Sequence, residues 1–175
     1  MNHDAEKEKT ASQKHVHAYD RMLQRAEQAL ASTTERSEAT LEHALDTARK
    51  RAIELGELTQ DEADRIHGFV TRDLYDVGQH QATEEREVAD WLRLGVLLVE
   101  KDVLNRFTRL AETAKVEFKH LQKAGNKLDE WHTGEVTTIG SLRCQRCGEV
   151  LRFDRTESIP ACPKCQATVF ERIRE

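Results

Sequence analysis

Two prolines, eight glycines and 5% aromatic residues are all this 175-residue chain has of residues that most folds use freely. So little glycine and proline excludes a collagen helix, a mucin-like stalk and a Pro/Gly-rich disordered chain. It also argues against a large α/β enzyme, whose apolar strands are punctuated by glycine-bearing loops. Long hydrophobic runs are missing as well. The strongest, Trp91 to Val99, carries Arg93 and is closed by Glu100-Lys101-Asp102. Crossing a bilayer takes about 20 apolar residues, so this run reads as a buried helix face. Met1 to Lys14 holds no apolar stretch suited to a secretory signal. The expectation is a cytoplasmic protein without membrane contact, where thiols stay reduced and paired cysteines read as metal ligands before disulfides. Excess positive charge is also lacking. A net charge of −5 argues against a protein that coats nucleic acid.

What is abundant is charge, at 34% of residues, a composition suited to long solvent-facing helices. From Gln13 to Leu55 the sequence reads as one long helix. Tyr19, Met22, Ala26, Leu30, Leu41, Leu45, Ala48, Ala52 and Leu55 recur mostly at steps of three and four, a narrow apolar stripe suited to a partner helix. Thr33, Thr34 and Ser37 interrupt that stripe. Gly56 can end the helix in the left-handed conformation. Thr59-Gln60-Asp61-Glu62 then forms a capping box for the next helix. A loop this short predicts an antiparallel neighbour.

The returning segment places Ala63, Ile66, Phe69, Val70, Leu74 and Val77 at helical spacing, and the polar stretch Gly78 to Arg86 is a candidate kink or break. Periodicity resumes from Val88 to Leu121 and stops at Gly125-Asn126. Between Trp91 and Leu104 apolar residues occupy more than one face, which a third helix or a second copy of the protein would cover. The architecture expected is mainly α: an elongated antiparallel helical hairpin or coiled-coil body over 1–126, a polar linker over 127–134 containing Trp131 and His132, and a small β zinc ribbon over 135–175.

All four cysteines fall in that last segment. Cys144-Gln145-Arg146-Cys147-Gly148 and Cys162-Pro163-Lys164-Cys165 are two Cys-x-x-Cys turns separated by 14 residues. Each turn can present two thiolates to one ion, and the gap leaves room for a hairpin. Strand-like runs at Val136–Arg143, Glu149–Phe153 and Thr168–Ile173 predict a three-stranded antiparallel ribbon. A 41-residue unit lies near the size below which chains need a metal or disulfides to fold, and a structural zinc contributes about 10–16 kcal/mol of apparent binding energy. Four thiolates fill the tetrahedron and leave no position for water or substrate, so the expected role is structural. The candidate ligands are therefore Cys144, Cys147, Cys162 and Cys165, holding one Zn2+. Iron in a rubredoxin-like site is the main rival. A redox Cys-x-x-Cys would sit at a helix start after a strand.

Gly56-Glu57-Leu58-Thr59, Arg72-Asp73-Leu74, His132-Thr133-Gly134-Glu135-Val136, the two cysteine turns and Val169-Phe170-Glu171-Arg172 together resemble the bacterial zinc ribbon-containing (YbeL-like) family, across almost the whole chain beyond about the first fifteen residues. The cysteine tail is common to many zinc ribbons, whereas its combination with the Gly-Glu-Leu-Thr turn is far more specific. Gln166 departs from the family, which usually has glycine after the second knuckle. The resemblance implies a helical body with a C-terminal ribbon in cytoplasmic bacterial proteins. The shared domain is of unknown function, so no catalytic residue carries over.

Other constellations are weaker. Glu117-Phe118-Lys119-His120 is a Glu-x-x-His pattern and Asp64-Arg65-Ile66-His67 a looser relative, but a helical di-metal site needs two such pairs plus two further Glu. His15 and His17 diverge by about 200° on a helix. There is no phosphate-cradling glycine loop and no nucleophile elbow. The ribbon holds Arg143, Arg146, Arg152, Arg155, Lys164, Arg172 and Arg174 against six acidic residues, a net of +1, while the rest of the chain is −6. The function expected is non-enzymatic: a ribbon that recognises a protein partner, on a body that forms a homodimer or docks to a larger assembly. The alternative is a transcription- or ribosome-associated protein that binds nucleic acid through the ribbon's basic residues.

Overall fold

The computed structural model describes residues 3–32, 41–83, 106, 109–110 and 130–173. Three helices, α1 (His3–Ser32), α2 (Leu41–Glu54) and α3 (Gln60–Thr83), precede six short strands: β1 (Trp131–His132), β2 (Val136–Thr137), β3 (Gly140–Cys144), β4 (Val150–Phe153), β5 (Glu157–Ser158) and β6 (Val169–Arg172). The chain is thus mainly helical first and β-structured last.

The apolar stripes explain the helix packing. Leu41, Ala44, Leu45, Ala48 and Ala52 line one face of α2, and Ala63, Ile66, Val70 and Leu74 one face of α3. Both faces close on Tyr19, Met22, Leu23 and Ala26 of α1 in a single core. The alanines let the backbones approach, as a narrow stripe requires. The expected rod from Gln13 to Leu55 is corrected here, because α1 and α2 lie against one another. The stripe lapses at Thr33, Thr34 and Ser37, where a continuous rod would need apolar side chains to hold a partner.

The turn after α2 forms as its residues require. Gly56 adopts φ +68°; its N–H donates to the Ile53 carbonyl and that of Glu57 to the Ala52 carbonyl, the paired bonds of a Schellman cap. Thr59 Oγ1 accepts from the Glu62 N–H, and a Glu62 carboxylate oxygen accepts from the Thr59 N–H. This capping box starts α3, which runs back along α2 so that Arg49 reaches Asp64. Leu55, expected in the stripe, is 49% exposed because the helix ends there, and Leu58 in the turn is buried instead. Glu57 receives Arg21 and Arg25 from α1, so the turn is also tied to the first helix. The candidate break after Gly78 does not occur within the described part of α3, which is continuous to Thr83. Of the long apolar segment, Leu110 joins the helical core and Arg106 and Arg109 pair with Glu27 on α1. The proposed self-association patch from Trp91 to Leu104 lies outside the described residues.

The β region holds more strands than the three expected. One antiparallel sheet has the order β1-β6-β3-β4, and β2 pairs with β5 in a second. The run Val136–Arg143 divides because Gly140 takes φ +139°, which turns β3 away from β2. Trp131 and His132, read from sequence as linker, are strand residues paired with Phe170 and Val169. Trp131 is fully buried, because its pairing with β6 sets the indole beneath the sheet among Asp73, Arg72 and Arg172. Val136 and Ile139 bury in the helical core, so the β region lies directly on the helices.

Candidate metal centre

Each cysteine turn is built by the same backbone bonds. In the first, the Gly148 N–H donates to the Cys144 carbonyl at 2.9 Å and the Cys144 N–H to the Glu149 carbonyl at 2.8 Å. In the second, Gln166 N–H donates to Cys162 O at 2.8 Å and Cys162 N–H to Ala167 O at 2.9 Å. The fifth residue is left-handed in both, φ +75° at Gly148 and +58° at Gln166. Such a turn needs a positive φ there, which glycine takes freely and glutamine does not. The glutamine thus departs from the pattern at the position where conformation matters most, while the ligands stay in place.

β3 ends at Cys144, and its pairing with Phe170 of β6 brings the turns face to face. Cys144 Sγ lies 3.6 Å from Cys165 Sγ, and Cys147 Sγ lies 3.6 Å from Cys162 Sγ. All four sulfurs are within 4.8 Å of one another. Thiolates about 2.3 Å from a tetrahedral ion stand about 3.8 Å apart, so the cluster fits a metal ion, whereas a disulfide requires about 2.05 Å. All four expected ligands are therefore brought together. Cys144 and Cys162 are buried and the other two half-buried. Burial opposes ionisation of Cys144, yet N–H groups of Cys147 and Arg146 draw its pKa down to about 7. At Cys147 the Glu149 N–H favours the thiolate, but burial and the other three sulfurs push the pKa up to about 12. Four negative sulfurs cannot share so small a volume without a cation between them.

The other sequence candidates do not converge. Asp64 is hydrogen-bonded to Gln60 and Arg49, and the half-buried His67 has its pKa lowered by burial and by Arg49. His15 approaches Glu62 at 3.9 Å and His17 lines a separate cleft. Glu117 and His120 lie outside the described residues. Among the described residues the four cysteines form the one group suited to hold a metal.

A second constellation was not read from the sequence as a site. Asp73 of α3 is fully buried. Its carboxylate accepts from Tyr19 Oη at 2.8 Å, Trp131 Nε1 at 2.9 Å, Thr137 Oγ1 at 2.9 Å, the Thr138 N–H at 3.2 Å and Arg72 Nε at 3.2 Å. Arg72 also donates to Glu135 and to the Val136 carbonyl. Burial works against the charge of Arg72, but Asp73 and Glu135 outweigh it and hold its pKa above the ordinary value. Arg172 of β6 lies 3.6 Å from Asp73 and 3.2 Å from Asp76. The guanidinium carbons of Arg72 and Arg172 lie 4.8 and 4.9 Å from the centre of the Trp131 ring, within cation–π range. The available signal was the acidic pair Asp73 and Asp76 interrupting the apolar stripe of α3.

Four cysteines on paired knuckles, carried by antiparallel strands at the end of a helical chain, define a zinc-ribbon class of protein. The chain belongs to the family described as "Zinc-ribbon containing domain", whose profile matches residues 28–174. It is similar to the uncharacterised protein YbeL of Escherichia coli strain K12, 27% identical over 146 residues that cover 82% of this chain and 90% of the relative. The YbeL protein of Escherichia coli O157:H7 matches to the same extent. No solved structure matches the chain. No helix among the described residues is long and apolar enough to cross a membrane.

Proposed function

We propose that this is a non-enzymatic cytoplasmic protein in which one zinc ion, held by Cys144, Cys147, Cys162 and Cys165, maintains a ribbon that recognises a protein partner. The observation that carries the reading is the convergence of all four thiols on one point. Such a set fills the tetrahedron and leaves no position for a substrate or an activated water. Zinc is favoured over iron by the family's description.

The exposed side chains of Gln145, Arg146, Lys164 and Gln166 surround the metal and form the recognition surface. A protein partner is preferred to nucleic acid because three of the ribbon's seven cations are already held by carboxylates. Arg172 is buried, Arg143 pairs with Glu171 at 3.3 Å and Arg155 with Glu157 at 2.5 Å. Phosphate binding gains with each cation brought to one face, and those three are engaged elsewhere.

Elemental mass spectrometry of the purified protein tests the metal, with one zinc per chain expected; a coloured, iron-loaded product would overturn it. Nucleic acid that copurifies at low salt and is lost at high salt would overturn the preference for a protein partner. Self-association through Trp91–Leu104 is tested by sedimentation, where a monomer at micromolar concentration would remove it.

A further inference from the structure

Asp73 draws its partners from both parts of the chain. Tyr19 and Arg72 belong to the helices, whereas Trp131, Thr137, Thr138 and Arg172 arrive with the β region. The strands that carry Trp131 and Arg172 are fixed by the metal turns. Cys144 is in register with Phe170, Phe170 with Trp131, and the Gln145 N–H donates to the Val169 carbonyl at 3.2 Å. Cys165 precedes Val169 by only a few residues. Backbone pairing therefore links the first cysteine turn to the strands whose Trp131 and Arg172 side chains reach the fully buried carboxylate of Asp73.

We propose that Asp73, Trp131 and Arg172 form a clamp through which metal occupancy of the ribbon controls the packing of the helical body. With the metal in place, β1 and β6 hold their register and the carboxylate is satisfied. When the metal leaves, a β unit of this size lacks the means to hold its strands together. Asp73 and Asp76 then lose their donors from the ribbon. With only Tyr19 and Arg72 left as donors, the buried carboxylate is under-satisfied, so the packing of α1 on α3 loosens at Tyr19 to let water in. By linkage the clamp acts in both directions, and weakening it loosens the metal. The ribbon is a metal-dependent latch on the helices. This coupling presupposes the metal-binding reading of the cysteines.

The test compares the full-length protein with Trp131→Phe, which keeps an aromatic ring but removes the indole N–H together with part of the ring system, and with Leu45→Ala, which weakens the helical core without removing a donor to Asp73. Zinc release to a chromogenic chelator is measured well below the melting transition, and helix unfolding is followed by circular dichroism with and without chelation. Expected are a lower melting temperature of the wild-type helices after chelation and zinc release at least about tenfold faster from Trp131→Phe, since one lost hydrogen bond to a charged acceptor alone is of that size. Leu45→Ala should release zinc at the wild-type rate. Helices that melt identically with and without metal would overturn the clamp, as would equal release from Trp131→Phe and wild type, or acceleration by Leu45→Ala to the same degree. A purified protein that binds no metal at all would overturn the metal reading and the clamp together.

Discussion

Gln166 sits at φ +58° in a turn whose counterpart, Gly148, sits at φ +75° with the same pair of backbone hydrogen bonds. The left-handed region costs a residue with a Cβ about 1–2 kcal/mol. Replacing Gln166 by glycine removes that strain but frees the unfolded chain, which offsets about 0.4–1 kcal/mol. The net expectation for Gln166→Gly is a gain of about 0.5–1 kcal/mol. Because folding and metal binding are linked in so small a unit, the gain appears as roughly two- to fivefold tighter apparent zinc affinity. The reverse change, Gly148→Gln, should weaken it by a similar factor. A Cβ at Gly148 would meet nothing within 4 Å, so that loss is conformational and not steric. Gln166→Asn should fall between, since asparagine tolerates the left-handed region better than most residues. Competition against a chromogenic chelator at fixed pH measures all three. Unchanged or weaker binding by Gln166→Gly would refute the reasoning, and so would indifference to Gly148→Gln.

Tyr19→Phe removes one donor from a buried carboxylate and should destabilise the protein by about 1.5–3 kcal/mol in urea unfolding; a change under about 0.5 kcal/mol would mean that Asp73 does not depend on the phenol. Arg72→Lys keeps the charge but cannot reproduce the fork that reaches Asp73, Glu135 and the Val136 carbonyl. It should lower stability by about 2 kcal/mol or more, whereas Lys50→Arg on the exposed face of α2 should stay within about 0.5 kcal/mol. Glu62 has its pKa lowered from 4.5 to about 2, chiefly by Lys14 and by the Thr59 N–H. Its contribution is therefore full above pH 4.5 and disappears as pH falls toward 2. The stability difference between wild type and Glu62→Gln should shrink over that window, and a difference that held constant from pH 6 to pH 2.5 would contradict it.

The helix spacing, the glycine cap, the capping box and the two cysteine turns were legible because each is a local pattern. Thr59 and Glu62 need only three residues between them to specify a helix start, and a Cys-x-x-Cys turn carries its own geometry. The periodicity of α2 and α3 identified their buried faces for the same reason. What could not be read depends on distant partners. Nothing local tells Trp131 that it will pair with Phe170, since the register comes from a strand that follows the second knuckle. Arg172 counted in the sequence as surface charge, and only the meeting of β6 with α3 turns it inward. The apparent rod from Gln13 to Leu55 illustrates the converse. Its spacing is helical on both sides of the gap at Thr33 to Ser37, but spacing does not record whether two helices lie end to end or side by side.

The scattered origin of the donors to Asp73 also sets an order of events during synthesis. Trp131 and Thr138 follow Asp73 by 58 and 65 residues. At about 5–20 residues per second, Asp73 is synthesised about 3–13 s before those donors. Throughout that interval α1, α2 and α3 are present with their apolar faces but without the groups that let α3 close over its acidic pair. A chain at that stage offers Asp73 only Tyr19 and Arg72 of the donors it has in the folded protein. The full set of groups around Asp73, Arg172 included, therefore exists only once the cysteine-bearing segment has been made.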